Sequence, residues 1–317
     1  MCNYFLAIPF LFLFPTIALT GCGEDDAPLR GALVHVIGEA FRGTTTRWDE
    51  KHQWKAKDYF SDPKVIALCK AIEAKDIKEI DRLVANGADV NAKGKDNMTP
   101  LLWAFPENKP DVFKRILEHG ADPNVKIAGN FNTTVLHCSV ITEFPNYLRY
   151  VLQYGGDPNL IDPYGHSPLL MVFGGRTPDK KEAIQLLIDA GADLDYGIDT
   201  HETALYASVR AECFPITLQL LKSGASFNYH TTKGNTFVHT FLRMTQNSRA
   251  QQREGYAEVL EWFMKNGIDI EGARKEITDW SQGHSLSPER LAEIKKRYAD
   301  ELAAKAAAKE QAVAPER

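Results

Sequence analysis

Apolar residues recur at helical spacing in short stretches along the middle of the chain: Ile80, Leu83 and Val84, then Ile184, Leu187 and Ile188, then Val259, Trp262 and Phe263. Spacings of three and four residues put each set on one face of a helix. Such stretches run into a polar phrase with glycine at its second position, as in Asn86-Gly87-Ala88-Asp89-Val90-Asn91. Glycine there can take the left-handed conformation that ends a helix. The phrase returns at Gly120, Gly155, Gly191 and Gly224, with a fainter copy at Gly267, at intervals of 33, 35, 36, 33 and 43 residues.

A second phrase follows the first in fixed phase: Thr99-Pro100-Leu101-Leu102, Thr134-Val135-Leu136-His137, Ser167-Pro168-Leu169-Leu170, Thr203-Ala204-Leu205-Tyr206 and Thr236-Phe237-Val238-His239. It begins 12 residues after the preceding glycine in four cases of five. Thr or Ser ahead of Pro is a helix start, because the side-chain oxygen caps free N–H groups and proline has none to lose. Each unit therefore reads as a helix pair and a turn. One pair cannot bury its own apolar face, so neighbours must stack into a continuous core.

The two phrases resemble the Thr-Pro-Leu-His and Gly-Ala-Asp-x-Asn signatures of ankyrin repeats, whose period is about 33 residues. The resemblance implies an all-α ankyrin-repeat solenoid of stacked helix-turn-helix units with β-turn fingers over residues 60–271, an N-terminal cap plus five units. Val65–Ile72 and Ile77–Ala85 read as the cap, a helix pair without a leading turn. Residues 272–302 form a C-terminal capping region, with a helix opening at Ser287-Pro288-Glu289-Arg290 and running to about Leu302. The charged, alanine-rich tail 303–317 has no apolar stripe, so its helix is expected to fray. Extra residues around 245–254 lengthen the fifth unit, as a loop or as a longer helix.

The N-terminus changes the picture. Residues 1–21 carry no charged side chain, and the apolar run from Tyr4 to Leu19 contains two prolines and is 16 residues long. That is short of the ~20 needed to span a bilayer and reads as an export signal. It ends Leu19-Thr20-Gly21-Cys22, which resembles the lipobox of bacterial lipoproteins; the resemblance implies lipidation of Cys22. A lipoprotein signal is favoured over a plain signal peptide or membrane anchor, although no Lys or Arg precedes the run. Gly23, where an aspartate would resemble an inner-membrane retention signal, favours the outer membrane facing the periplasm. Residues 22–59 then form a tether and lead-in, with Trp48, Trp54, Tyr59 and Phe60 available to pack on the first repeat; Leu33–Ile37 reads as a short strand or a buried helix turn.

Net charge −5 and pI near 6.0 leave no basic footprint for nucleic acid. Apart from Cys2 and Cys22, the cysteines are Cys69, Cys138 and Cys213, an odd number at different repeat positions, and are expected to be buried free thiols. His137 and His239 resemble the structural histidine of the Thr-Pro-Leu-His phrase, whereas His166, His201 and His230 fall in finger turns and are expected to be exposed. There is no His-x-x-x-His, Cys-x-x-Cys, Gly-x-Ser-x-Gly or phosphate-loop spacing, so no metal, cofactor or catalytic residue is expected. Gly94, Gly174 and Gly234 read as turn glycines with unusual backbone angles.

The resemblance places binding on the concave face formed by fingers and inner helices. Mapping the family's usual contact positions selects Lys95, Asp96 and Met98, then Phe131, Thr133 and Ile141, then Tyr164 and His166. The fourth unit contributes Glu202 and Arg210, and the fifth Lys233, Asn235 and Arg243. Exposed aromatics beside Arg dominate protein interfaces, which singles out Phe131 and Tyr164 as anchors. The export signal, the acid-rich linker Glu24-Asp25-Asp26 and the lead-in Trp54–Phe60 are similar to those of bacterial ankyrin lipoproteins that act as immunity proteins against secreted type VI lipase or phospholipase effectors. That resemblance implies a protein partner, occluded at its catalytic or membrane-docking surface. The alternatives are an ankyrin adaptor supporting a periplasmic enzyme such as catalase, and a hydrolase built from scattered repeat residues.

Overall fold

The computed structural model describes residues 55–105, 109–126, 134–142, 145–162, 164–174, 179–197, 203–230 and 234–313. The signal-like segment, Cys22 and most of the tether lie outside them, and among the described residues no helix is long and apolar enough to cross a membrane. The architecture is the all-α solenoid expected. A short helix α1 (Ala56–Tyr59) leads into the pair α2 (Pro63–Ala74) and α3 (Ile77–Ala85). Four pairs follow: α4 (Pro100–Ala104) with α5 (Pro110–Glu118), α6 (Val135–Ile141) with α7 (Pro145–Gln153), α8 (Pro168–Met171) with α9 (Lys180–Asp189), and α10 (Ala204–Arg210) with α11 (Phe214–Lys222). The fifth repeat holds α12 (Phe237–Met244), a short α13 (Ser248–Gln251) and α14 (Tyr256–Lys265), and the chain closes with α15 (Ile270–Ser281) and α16 (Pro288–Val313).

Inner helices begin as the Thr/Ser phrase dictates. Thr99, Ser167 and Thr203 each accept a backbone N–H three residues on, and Thr134 and Thr236 form capping boxes with His137 and His239. Such a cap contributes about 1 kcal/mol per helix. Outer helices end where the glycine phrase begins, with φ between +73° and +93° at Gly87, Gly120, Gly155, Gly191, Gly224 and Gly267. The apolar faces meet between layers: Phe105, Phe113 and Tyr147 interlock with ring centroids 4.6–5.7 Å apart, and Phe241 sits against Phe214, Tyr256 and Phe263.

The polar phrase is also a ladder along the stack. The side-chain amides of Asn91, Asn124 and Asn159 donate to the carbonyls of Gly120, Gly155 and Gly191 at 2.9–3.0 Å. Their oxygens accept the N–H groups of Asp122, Asp157 and Asp193 at 2.7–2.8 Å. Outer helices add side-chain links between neighbours: Arg115 grips Asp81, Arg149 pairs with Glu182, and Gln219 bonds Gln185.

Several expectations need correction. Helix α15 spans residues expected to lie on both sides of the boundary at 271; the sixth glycine phrase enters a helix directly, capped by Asp269, instead of a finger. The alanine-rich segment beyond Leu302 continues α16 as far as Val313, because alanine has the highest helix propensity and Lys305 is tied to the repeats. The insertion around 245–254 is neither a plain loop nor a longer helix: Asn247 caps α13 as a separate turn. Cys69 and Cys138 are buried free thiols, but Cys213 is half-buried at the start of α11.

Tyr59 and Phe60 pack edge-on against Trp103, whose indole N–H donates to Glu73 at 2.9 Å. This packing explains Gly94, whose φ is an ordinary −85° rather than unusual. A Cβ there would lie 2.6 Å from the Tyr59 carbonyl and 2.9 Å from the Phe60 ring, so the glycine serves close approach.

Candidate functional site

The third finger is the best-built part of the predicted surface. Asp162 is buried at 4% exposure, and its carboxylate accepts the N–H groups of Tyr164 and His166 at 2.9 and 2.8 Å and lies 3.1 Å from His166 Nδ1. Backbone closes the turn, with Asp162 N–H on the His166 carbonyl at 3.0 Å and Gly165 at φ +83°. Burial pushes the Asp162 pKa up, but the hydrogen bonds from His166 and from the backbone outweigh it and hold the carboxyl below its ordinary range. Tyr164 is thereby displayed at 56% exposure, its ring stacked on that of His166 at 6.3 Å. Sequence reading selected Tyr164 and His166 and missed Asp162, which organises both. The signal was present in Asp162-Pro163-Tyr164-Gly165-His166, a turn in which Asp bonds backbone two residues on.

The other positions divide. Lys95 and Asp96 are exposed on the first finger, with Asp96 in the left-handed region at φ 58°. Arg210 and Arg243 are exposed in the last turns of α10 and α12, two inner helices packed on each other, and neither makes an ion pair among the described residues. Met98 and Ile141 are corrected: Met98, just ahead of the cap of α4, and Ile141, the last residue of α6, are both buried in the core cluster. Asn235 is half-buried. Phe131, Thr133, Glu202 and Lys233 lie outside the described residues, as does His201.

The histidines also differ from expectation. His166 and His230 are half-buried rather than exposed; His166 sits on Asp162, and His230 packs edge-on to Tyr298 of α16 at 5.7 Å. His137 is a buried cap, with Nδ1 2.8 Å from Thr134 Oγ1 and its pKa lowered by burial. His239 repeats that cap, but its Nε2 meets Glu276 of α15 at 2.7 Å, and Arg290 of α16 holds the same carboxylate at 2.7 Å. The C-terminal helices thus supply a polar partner to the histidine of the last inner helix.

Comparison with known proteins fits this geometry. A family model described as ankyrin repeats (3 copies) matches residues 52–127. The ankyrin repeat protein OPG189 of Variola virus is 27% identical over 183 residues, covering 57% of this chain and 31% of that protein. The palmitoyltransferase ZDHHC13 of Homo sapiens is 28% identical over 217 residues, covering 64% and 34%. The mitochondrial disaggregase of Homo sapiens is 41% identical over 59 residues, covering 19% and 8%. The chain spans about a third or less of the length of these curated relatives. It carries ankyrin repeats, its fold is an all-α ankyrin-repeat solenoid, and such repeats are typically non-catalytic modules that bind other proteins.

Proposed function

We propose that the chain is a periplasmic, lipid-anchored ankyrin module that neutralises a secreted antibacterial effector of the lipase or phospholipase type. The lipobox-like Leu19-Thr20-Gly21-Cys22 supports the anchor, Cys22 being the lipidated residue and the outer membrane the favoured site. The observation that carries a binding role is the third finger: a buried carboxylate fixes the turn so that a large aromatic ring stands in solvent. A turn whose backbone is fixed before docking loses little conformational entropy on binding, which is what the mount of an interface anchor needs.

Arg210 and Arg243 extend that surface along neighbouring inner helices, and Lys95 and Asp96 begin it at the first finger. An interface of standard size, about 1,600 Å² in total, fits on three or four repeats. Occlusion is the mechanism: the concave face covers the effector's catalytic cleft or membrane-docking surface. Tethering to a membrane raises the local concentration where a phospholipase acts.

The test is survival. Deleting the gene should sensitise cells to a neighbour armed with a lipase or phospholipase effector encoded beside it, and the wild-type gene should restore resistance. Unchanged survival against every co-encoded effector sinks the immunity reading, and a neighbouring catalase gene whose product loses activity in the deletion strain would favour the adaptor reading.

A further inference from the structure

The asparagine ladder changes chemistry at its fourth rung. Asp195 stands where earlier units have Asn, and Ser226 where they have Asp. Asp195 Oδ1 accepts the Ser226 N–H at 2.7 Å and Oδ2 accepts the Ser226 hydroxyl at 2.8 Å. A carboxylate has no N–H to offer the Gly224 carbonyl, and an aspartate at 226 would set two like charges together. The charge is met instead from the far end of the chain: Lys305 Nζ lies 2.5 Å from both Asp195 Oδ2 and Ser226 Oγ.

Lys305 belongs to a stripe. Arg297, Glu301 and Lys305 are four residues apart along α16 and so share one face. Each meets a successive rung: Arg297 donates to the Gly267 carbonyl at 3.1 Å, Glu301 accepts from Asn228 at 2.7 Å, and Lys305 reaches Asp195. The helix therefore lies back over the loop edge of the last repeats. Its root is apolar, with Leu286 and Leu291 crowding Gly234 and Ile294 buried. Beyond Tyr298 the attachments are polar: Leu302 is 45% exposed, and 303, 304 and 306–308 face solvent.

We propose that the second half of α16 is a releasable ionic latch over the loop edge of the fourth and fifth repeats, with Asp195 as its keeper. An asparagine at 195 would continue the regular ladder; the aspartate gives up that rung and makes a socket for Lys305. Release frees Asp195, Ser226 and Asn228 while the apolar root stays docked. The pattern Arg297-x3-Glu301-x3-Lys305 is then the key to which this edge is cut.

Hydrogen–deuterium exchange on the full-length chain, held soluble in mild detergent, tests this. Asp195→Asn and Lys305→Gln should each speed exchange across residues 299–313 by about tenfold, as should raising salt to about 0.5 M, while α10, α12 and α15 keep their protection. Lys305→Arg should keep the latch closed. Unchanged protection in both neutralised variants overturns the proposal. So does loss that spreads equally to α12 and α15, since α16 would then be an inseparable part of the core.

Discussion

Replacing Asn124 with alanine isolates the ladder's contribution to the stack. Two hydrogen bonds cross from this side chain into the next unit, Nδ2 to the Gly155 carbonyl at 2.9 Å and Oδ1 from the Asp157 N–H at 2.8 Å. Gly155 and Asp157 are exposed, so water takes over both groups and no buried polar group is orphaned. At about 1 kcal/mol for each neutral bond, the loss is ~1–2 kcal/mol. For a folded unit of roughly 230 residues, that lowers Tm by roughly 2–4 °C. Because a solenoid's stability is a sum of units and nearest-neighbour interfaces, weakening one boundary should also broaden the transition. Urea and thermal unfolding followed by circular dichroism, on the variant and on wild type, read both effects. A loss under about 0.3 kcal/mol would make the ladder incidental to stacking, and a loss above about 4 kcal/mol would give Asn124 a role that two solvent-accessible hydrogen bonds cannot explain.

Three further outcomes follow from particular contacts. Gly94→Ala puts a Cβ 2.6 Å from the Tyr59 carbonyl, so the lead-in must move, at a cost of about 1–3 kcal/mol in thermal melts. Asp162→Ala should abolish partner binding as completely as Tyr164→Ala, while the rest of the repeats keep their helical signal, since the third finger loses the acceptor of both its N–H groups. Burial pushes the Glu276 pKa up, but its bonds to His239 and Arg290 outweigh that and hold it below the ordinary carboxylate range. A depressed carboxyl stabilises the fold above its unfolded pKa and loses that contribution as pH falls through its folded value. The C-terminal helices should therefore loosen below about pH 4, seen as a change in fluorescence of Trp280, whose ring lies 4.6 Å from His239; Glu276→Gln should remove that acid dependence.

The repeat was legible because its two phrases do backbone work: a cap that starts one helix and a left-handed glycine that ends another must fall at fixed spacing. What the phrases do between units was less legible. The Asn91, Asn124 and Asn159 bonds join residues about one repeat apart, and their meaning emerges only when units are stacked. Helix α15 was missed because its apolar positions, Ile270, Ala273, Ile277 and Trp280, are few and a glycine at 272 interrupts them. The stripe of Arg297, Glu301 and Lys305 reads as a solvated face until its partners at Gly267, Asn228 and Asp195 are in place. Of the proposed binding surface, Tyr164 was visible as an aromatic in a turn, but the buried carboxylate that displays it looked like ordinary turn composition. Met98 and Ile141 were misplaced because burial at those positions depends on how neighbouring units stack, and here both side chains join the core.

The most direct test of the proposed role is titration of each lipase or phospholipase found encoded beside this gene with this chain while lipid hydrolysis is followed. Stoichiometric inhibition by wild type, lost in the triple variant Tyr164→Ala, Arg210→Glu, Arg243→Glu with its helical signal intact, is the expected result. Full hydrolysis at saturating wild-type chain contradicts the account, and equal inhibition by the triple variant removes the concave face from it.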